Sequence, residues 1–294
     1  MLPTRVIASV TTAVLATGLA AAPATATPSQ QDQPTLVAVK ASHQRGYDRL
    51  EFRFRGGLPD QRSARYVSRV IADPSGLPMT LSGGAFLRIR FADAVGHDEE
   101  GNVTYGAVRR TYKLPQVIQL ANAGDFEGVL SFGLAVSRKE RVRVSTRPGR
   151  VFVDISTPFR TVAVKDYFLD SDRFATGQEP YTRGVRRPVP ASSPAKGALQ
   201  RLFAGPTASE RARGLRFVSS RATGFKNLSI RKGVARVTLT GGCSSGGSTF
   251  TVADEITRTL KQFSGVRWVK VYDPSGRTER PAGRSDSIPT CLEP

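Results

Sequence analysis

The stretch Gly242-Cys243-Ser244-Ser245-Gly246 has the G-x-S-x-G spacing of a nucleophile elbow, with Ser244 as the nucleophile between a predicted strand and a predicted helix. In that architecture the acid and the histidine follow the serine. Here the two histidines, His43 and His97, both precede it and fall in a segment of different texture. The same stretch comes near a phosphate-binding loop, because Gly242 is followed at the right spacing by Gly247-Ser248-Thr249. Ser248 stands where such a loop carries its lysine, so the main counter-charge for a nucleotide's phosphates is missing. A lesser role is left. Gly242, Ser244, Ser245, Gly246, Gly247, Ser248 and Thr249 could hold one phosphate or carboxylate on hydroxyls and on N–H groups at a helix start. The plain alternative is a glycine-rich structural loop.

Other clusters offer less. His97-Asp98-Glu99-Glu100 has ligand types, but Gly96 and Gly101-Asn102 flank it, as on an exposed turn. Asp170 and Asp172 lack the further ligands and the glycine of a calcium loop. Two carboxylates at i and i+2 also cannot flank a sugar bond as a general acid/base pair. With two Cys and two His, a multi-thiolate zinc site, an iron–sulfur cluster and a three-histidine metal site are excluded. No catalytic residue, metal or cofactor is expected. Basic side chains are the remaining chemistry: Arg183, Arg186 and Arg187 near Tyr181, and Lys270, Arg277, Arg280 and Arg284 toward the C-terminus. They are read as a candidate basic surface.

The whole chain carries 43 Lys+Arg against 24 Asp+Glu, a formal net charge of +19. Residues 27–157 hold 19 basic and 13 acidic side chains and residues 158–294 hold 23 and 11, so the second part is the stronger candidate for a polyanion. Which polyanion depends on compartment. Arg5 is the only charge in 1–26, Val6–Ala22 is apolar or small, and Ala24-Thr25-Ala26 supplies a small-x-small site. This predicts a signal peptide cleaved after Ala26, the alternative being an uncleaved anchor. In an oxidising compartment Cys243 and Cys291 would form one disulfide rather than remain free thiols. Outside the cell the polyanions on offer are wall polymers and not nucleic acid, and the mature chain needs no integral membrane span.

The elements that would position these residues fall into two textures. Residues 27–35 read as a flexible leader. From 36 to 157 the pattern alternates: Leu50, Phe52 and Phe54 against Glu51, Arg53 and Arg55, then Leu87, Ile89 and Phe91 against Arg88 and Arg90. Val129–Val136 and Val151–Ile155 are further strands, with Gly/Pro turns between and no long amphipathic helix. That predicts an all-β, sandwich-like domain. From 158 to 294 the pattern is mixed. Val162–Leu169 reads as a strand, and a helix starts at Ser193-Pro194 and stops at Gly205-Pro206. A capping box opens at Thr207, Leu228–Ile230 and Val234–Leu239 pair through Lys232-Gly233, and a helix carries Ala253, Ile256, Leu260 and Phe263 before a last strand at Val266–Tyr272. The expected fold is α+β overall, with a small C-terminal α+β domain of helices on a mixed sheet.

Some of these residues carry a family resemblance. Gly46-Tyr47-Asp48-Arg49-Leu50, Gly84-Ala85-Phe86-Leu87 and Gly124-Asp125-Phe126-Glu127-Gly128 make about 41–156 resemble the AMIN-like domain of secreted actinobacterial proteins. Ala204-Gly205-Pro206-Thr207, Gly224-Phe225, Gly233-Val234-Ala235-Arg236-Val237 and Phe263-Ser264-Gly265-Val266 make about 162–291 similar to a GerMN domain of spore germination and sporulation proteins. The resemblance implies envelope targeting through peptidoglycan and protein–protein or wall association, and supplies no catalytic residues. The expectation is therefore a secreted, wall-associated, non-enzymatic protein. It would bind peptidoglycan or an attached anionic polymer and scaffold an envelope protein partner. A wall hydrolase or esterase and an oligomeric assembly subunit are the alternatives.

Overall fold

The structure, a computed structural model, describes residues 33–294. The expected signal peptide, its cleavage after Ala26 and leader residues 27–32 lie outside the described residues. The end of the leader is not free. Pro34 is buried, its carbonyl accepts the Val95 N–H at 3.1 Å, and the first strand already starts at Thr35.

Nine strands make the first part: β1 (Thr35–Gln44), β2 (Tyr47–Arg55), β3 (Gln61–Val67), β4 (Ala85–Ala92), β5 (Arg109–Thr111), β6 (Val117–Phe126), β7 (Val129–Val136), β8 (Val142–Arg147) and β9 (Arg150–Ser156). They form two antiparallel sheets, β1-β2-β9-β8 and β3-β4-β7-β6-β5. The alternation in β2 and β4 has its physical cause here. Leu50, Phe52 and Phe54 face one sheet's partner, Leu87, Ile89 and Phe91 the other's, and all six share one core with Leu130, Phe132 and Val153. Phe52, Phe91 and Phe132 meet in edge and tilted contacts at 5.0–6.4 Å between ring centres, which fills the space between the sheets. This is a sandwich built without helices, as the sequence pattern expects.

The second part holds α1 (Ser171–Ala175), α2 (Pro194–Ala204), α3 (Ala208–Arg211) and α4 (Val252–Leu260). Its strands are β10 (Thr161–Asp170), β11 (Thr182–Pro190), β12 (Leu215–Arg216), β13 (Ala222–Arg231), β14 (Val234–Gly241) and β15 (Trp268–Tyr272). The expected mixed sheet is β13-β14-β15, where β14 and β15 run parallel. A second sheet, β11-β10-β12, is wholly antiparallel and lies outside the single mixed sheet that the sequence pattern predicts. Phe168, Leu199, Leu202, Val237, Ile256 and Val271 bring both sheets and the two longer helices into one core. Thr251 caps α4 with a full capping box closed by Asp254. Cys243 and Cys291 are joined, with Cα atoms 5.7 Å apart, and tie the tail to the loop after β14.

Residues 33–294 form one compact unit, and α2 is the joint. Arg201 is buried and donates to the carbonyls of Tyr112, Leu114, Pro115 and Val117 and to Ser137 Oγ. Ser82 Oγ donates to the Gln200 carbonyl at 2.8 Å, and Thr111 Oγ1 to that of Ala204 at 2.9 Å. Beside them Arg187 grips Glu210 bidentately at 2.8 and 2.6 Å, and Lys113 reaches Glu210 at 2.9 Å. Burial would raise the Glu210 carboxyl, but the hydrogen bonds from Arg187, Lys113 and the Thr207 N–H outweigh it and hold it at about 2. Burial pushes Asp166, which no hydrogen bond reaches, up to about 8, and brings Arg201 down to about 10.

Candidate functional site

The outer face of the five-stranded sheet is divided in two. Over one half the chain between β3 and β4 lies tightly down. Val70 and Leu81 pack on Ala121, Ala123 and Ala135, and a Cβ on Gly133 would stand 2.8 Å from Val70 Cγ1. The other half is an open groove of about 950 Å³. Its floor comes from the outward side chains of two neighbouring strands, because alternation sends Leu87, Ile89 and Phe91 inward and Arg88 and Arg90 outward. Register sets Arg65 opposite Arg88 and Ser63 opposite Arg90. Arg62 stands at the groove's end, with Nη1 on the Pro59 carbonyl.

Two turns wall the groove. The turn at Asp73-Pro74 brings the Asp73 carboxylate onto Arg88 Nη2, an ion pair that fixes that guanidinium. The hairpin between β6 and β7 turns on Glu127 and Gly128, with φ of 49° and 70°. A two-residue turn needs positive φ at both centres, which glycine supplies freely. That turn holds Phe126 at the rim, 49% exposed. Arg62, Arg65 and Arg90 are exposed, and the lining acids are Asp73 and Glu127. Arg88 and Arg90 repeat along one strand at about 6.8 Å, two residues of antiparallel rise. Their guanidinium forks suit phosphate or carboxylate, and Phe126 offers an apolar face beside them. The charge and spacing of this lining favour an anionic ligand.

The residues singled out in the sequence sit elsewhere. In the loop from Gly242 to Thr249 most of the backbone donors are already used. The N–H groups of Gly242 and Ser244 go to the carbonyls of Arg221 and Ser220, that of Ser245 to the Cys291 carbonyl, and that of Ser248 to the Ser245 carbonyl. Gly246 and Gly247 N–H donate to the hydroxyls of Ser244 and Ser245. Behind the loop, α4 opens with Asp254 and Glu255. Asp254 accepts the Thr251 N–H and Glu255 the N–H groups of Leu169 and Val218, so the loop's own bonds are those of a glycine-rich structural loop. His43 binds Asp48 at 2.7 Å and His97 binds Asp125 at 2.6 Å, both in the first part of the chain, so neither serves Ser244. Asp170 is buried as the cap of α1 and pairs with Arg183 at 2.7 Å. Among the described residues no cluster of three or more His, Cys, Asp or Glu could hold a metal.

The expected basic surface needs correction at two places. Arg187 is fully buried in the ion pair with Glu210, on the strand β11. Lys270 is fully buried because the tail folds over it, and its Nζ donates to the carbonyls of Arg280 and Ala282. Burial lowers its pKa. Arg183, Arg186, Arg277, Arg280 and Arg284 are exposed, but only Arg284 joins a basic hollow, with Lys232, Arg267 and Trp268. The larger arginine groove lies in the part with the smaller net charge. Its signal was present as the outward arginines of β4. Arg62, Arg65 and Phe126 reach it only through strand pairing.

Comparison with known proteins gives two family matches. A model described as AMIN-like domain matches residues 34–157, and one described as sporulation and spore germination (Germane) matches residues 165–272. Among solved structures, the tandem GerMN domains of the sporulation protein GerM from Bacillus subtilis are 22% identical, with a TM-score of 0.28. That match covers 43% of this chain and 44% of the other, so the chain spans less than half of that protein's length. No curated protein matches.

Proposed function

The chain carries an AMIN-like domain followed by a Germane domain, and from that premise we propose that it is an exported, non-enzymatic envelope protein that holds anionic cell-wall material. The observation that carries the reading is the arginine groove: four guanidiniums line one hollow, Arg88 pinned by Asp73, Arg62 bonded to the Pro59 carbonyl, and Arg65 and Arg90 with no side-chain partner among the described residues. A phosphate- or carboxylate-bearing polymer laid along the two strands would meet Arg88 and Arg90 on one and Arg65 on the other, and a sugar ring could rest on Phe126. Affinity would come from charge-assisted hydrogen bonds and steering, and would fall with salt. A further observation supports an extracellular setting: the Cys243–Cys291 bridge is of the kind that persists in oxidising compartments. None of the described helices is long and apolar enough to cross a membrane. The Germane part, locked to the groove-bearing part by Arg201, would present an envelope partner at a fixed orientation to the wall.

The test is reversal of charge on the groove floor. Arg65→Glu with Arg90→Glu should weaken binding to isolated sacculi at least tenfold while the thermal midpoint stays within a few degrees, since both side chains are exposed. Unchanged binding would remove the groove from the account.

A further inference from the structure

A second hollow, about 550 Å³, lies where the two halves of the compact unit meet, between the segment before β4, helix α2 and strand β13. Its walls are fixed. Ser82 Oγ bonds the Gln200 carbonyl, and Gly84 N–H bonds the Val136 carbonyl at 2.7 Å. A Cβ on Gly84 would stand 2.0 Å from the Ser137 carbonyl oxygen and 3.0 Å from Gln200 Nε2, so only glycine leaves room for that amide. Gln200 is 5% exposed and lines the hollow, and its side-chain amide makes no hydrogen bond among the described residues. Neither polar atom of that amide is sealed from solvent, so the amide opens onto the hollow with its donors and its acceptor available to a ligand. Lys196 on α2 and Lys226 on β13 are exposed and line it too, and its lining contains no Asp or Glu. Phe86 and Phe225 supply apolar surface.

We infer that this cleft is a binding site for a small carboxylate that also carries an amide. The lysines take the carboxylate, the Gln200 amide pairs donor-to-acceptor with the ligand's amide, and the phenylalanines cover its apolar face. A volume of this size and a place between two rigid parts are usual for small-ligand sites. Acetamido sugar acids and acylated peptide ends share this chemistry. The inference does not depend on the arginine groove.

The experiment is an amide-resolved NMR titration of the full chain with N-acetylmuramic acid and, separately, N-acetyl-alanyl-alanine. N-acetylglucosamine, which lacks the carboxylate, and lactate, which lacks the amide, are the controls. Saturable shifts at Gly83, Gly84, Gly224 and Lys226 with either amide-bearing carboxylate, and none with the controls, are expected. Which probe saturates at lower concentration identifies a sugar-acid or a peptide source. Gln200→Leu and Lys226→Glu should each weaken the response at least tenfold, whereas Arg65→Glu/Arg90→Glu should leave it unchanged. Lys226 is exposed, so its variant carries the test if Gln200→Leu fails to fold. Absent shifts, equal response to either control, or indifference to Lys226→Glu would overturn the site.

Discussion

Asp166 and Glu210 lie in one buried cluster with Arg187, yet their carboxyl groups move in opposite directions. Asp166 finds no hydrogen bond and stays protonated up to about 8, whereas an unfolded aspartate ionises near ~3.9. Between these values folding must bind a proton. The contribution from this group is therefore greatest below pH ~4 and declines as pH rises toward 8. Glu210, held at about 2, works the other way: its contribution is full above pH ~4.5 and is lost as pH falls toward 2. Asp166→Asn should raise the unfolding midpoint at pH 8 over the wild type, by roughly 2–4 °C per kcal/mol gained, with the difference vanishing toward pH 4. An unchanged pH slope between 4 and 8 in the variant would show that Asp166 is ionised in the folded protein. Glu210→Gln should instead destabilise at pH 7, by about 3–5 kcal/mol, because Arg187 is left buried and poorly paired.

What the sequence discloses about single residues follows from what sets their surroundings. Arg88 and Arg90 are legible as outward because two-residue alternation is a local property of the strand. Lys270 and Arg187 have the same residue types but opposite fates. The tail that covers Lys270 and the Glu210 that neutralises Arg187 arrive from other elements, and no local pattern announces them. The loop at Ser244 shows the converse. Its spacing fits a nucleophile elbow and comes near a phosphate-binding loop, but a motif does not reveal that its amides are satisfied by Ser220, Arg221 and Cys291.

At the scale of elements, α2 is legible end to end. Proline at its first turn and Gly205 just after it set limits that the structure reproduces at Pro194 and Ala204. Its role as the joint is not legible, because Arg201 reads as one more exposed cation. Arg201→Met should strand several buried carbonyls and cost at least about 3 kcal/mol. Scanning calorimetry should then resolve two transitions where the wild type shows one, and a single transition in the variant would mean that the remaining contacts suffice to couple the two parts. The strand β11 is not legible in the sequence for a related reason. Thr182–Pro190 contains a glycine, two prolines and three arginines, a poor strand composition, and it is held by pairing along the whole of β10. Prolines are tolerated there because β11 is an edge strand. The bridge between Cys243 and Cys291 spans a separation of 48 residues. Replacing both cysteines by serine should cost up to roughly 4 kcal/mol and free the tail over Lys270, visible as faster amide exchange at residues 280–288.

For the molecule as a whole, the net charge of +19 is spread over the chain, but its use is local. Most cations are paired, buried or scattered, and a large concave surface that collects four arginines lies within residues 34–157, the AMIN-like domain. Charge counting favoured the other domain because it cannot see which side chains converge. The two-domain organisation and the β-sandwich were readable, since alternation, turn residues and family motifs agree over long stretches. The second sheet and both concave surfaces are products of tertiary pairing. The central claim, that this protein grips anionic wall polymer through a charged groove, is tested most directly by co-sedimentation of the full chain with isolated sacculi. Intact sacculi and sacculi stripped of their anionic polymers would be compared across a salt series. The account predicts binding to intact sacculi that falls at least tenfold on stripping and declines steadily as salt screens the arginines. Undiminished binding to stripped sacculi at high salt, or none to intact sacculi at low salt, would contradict it.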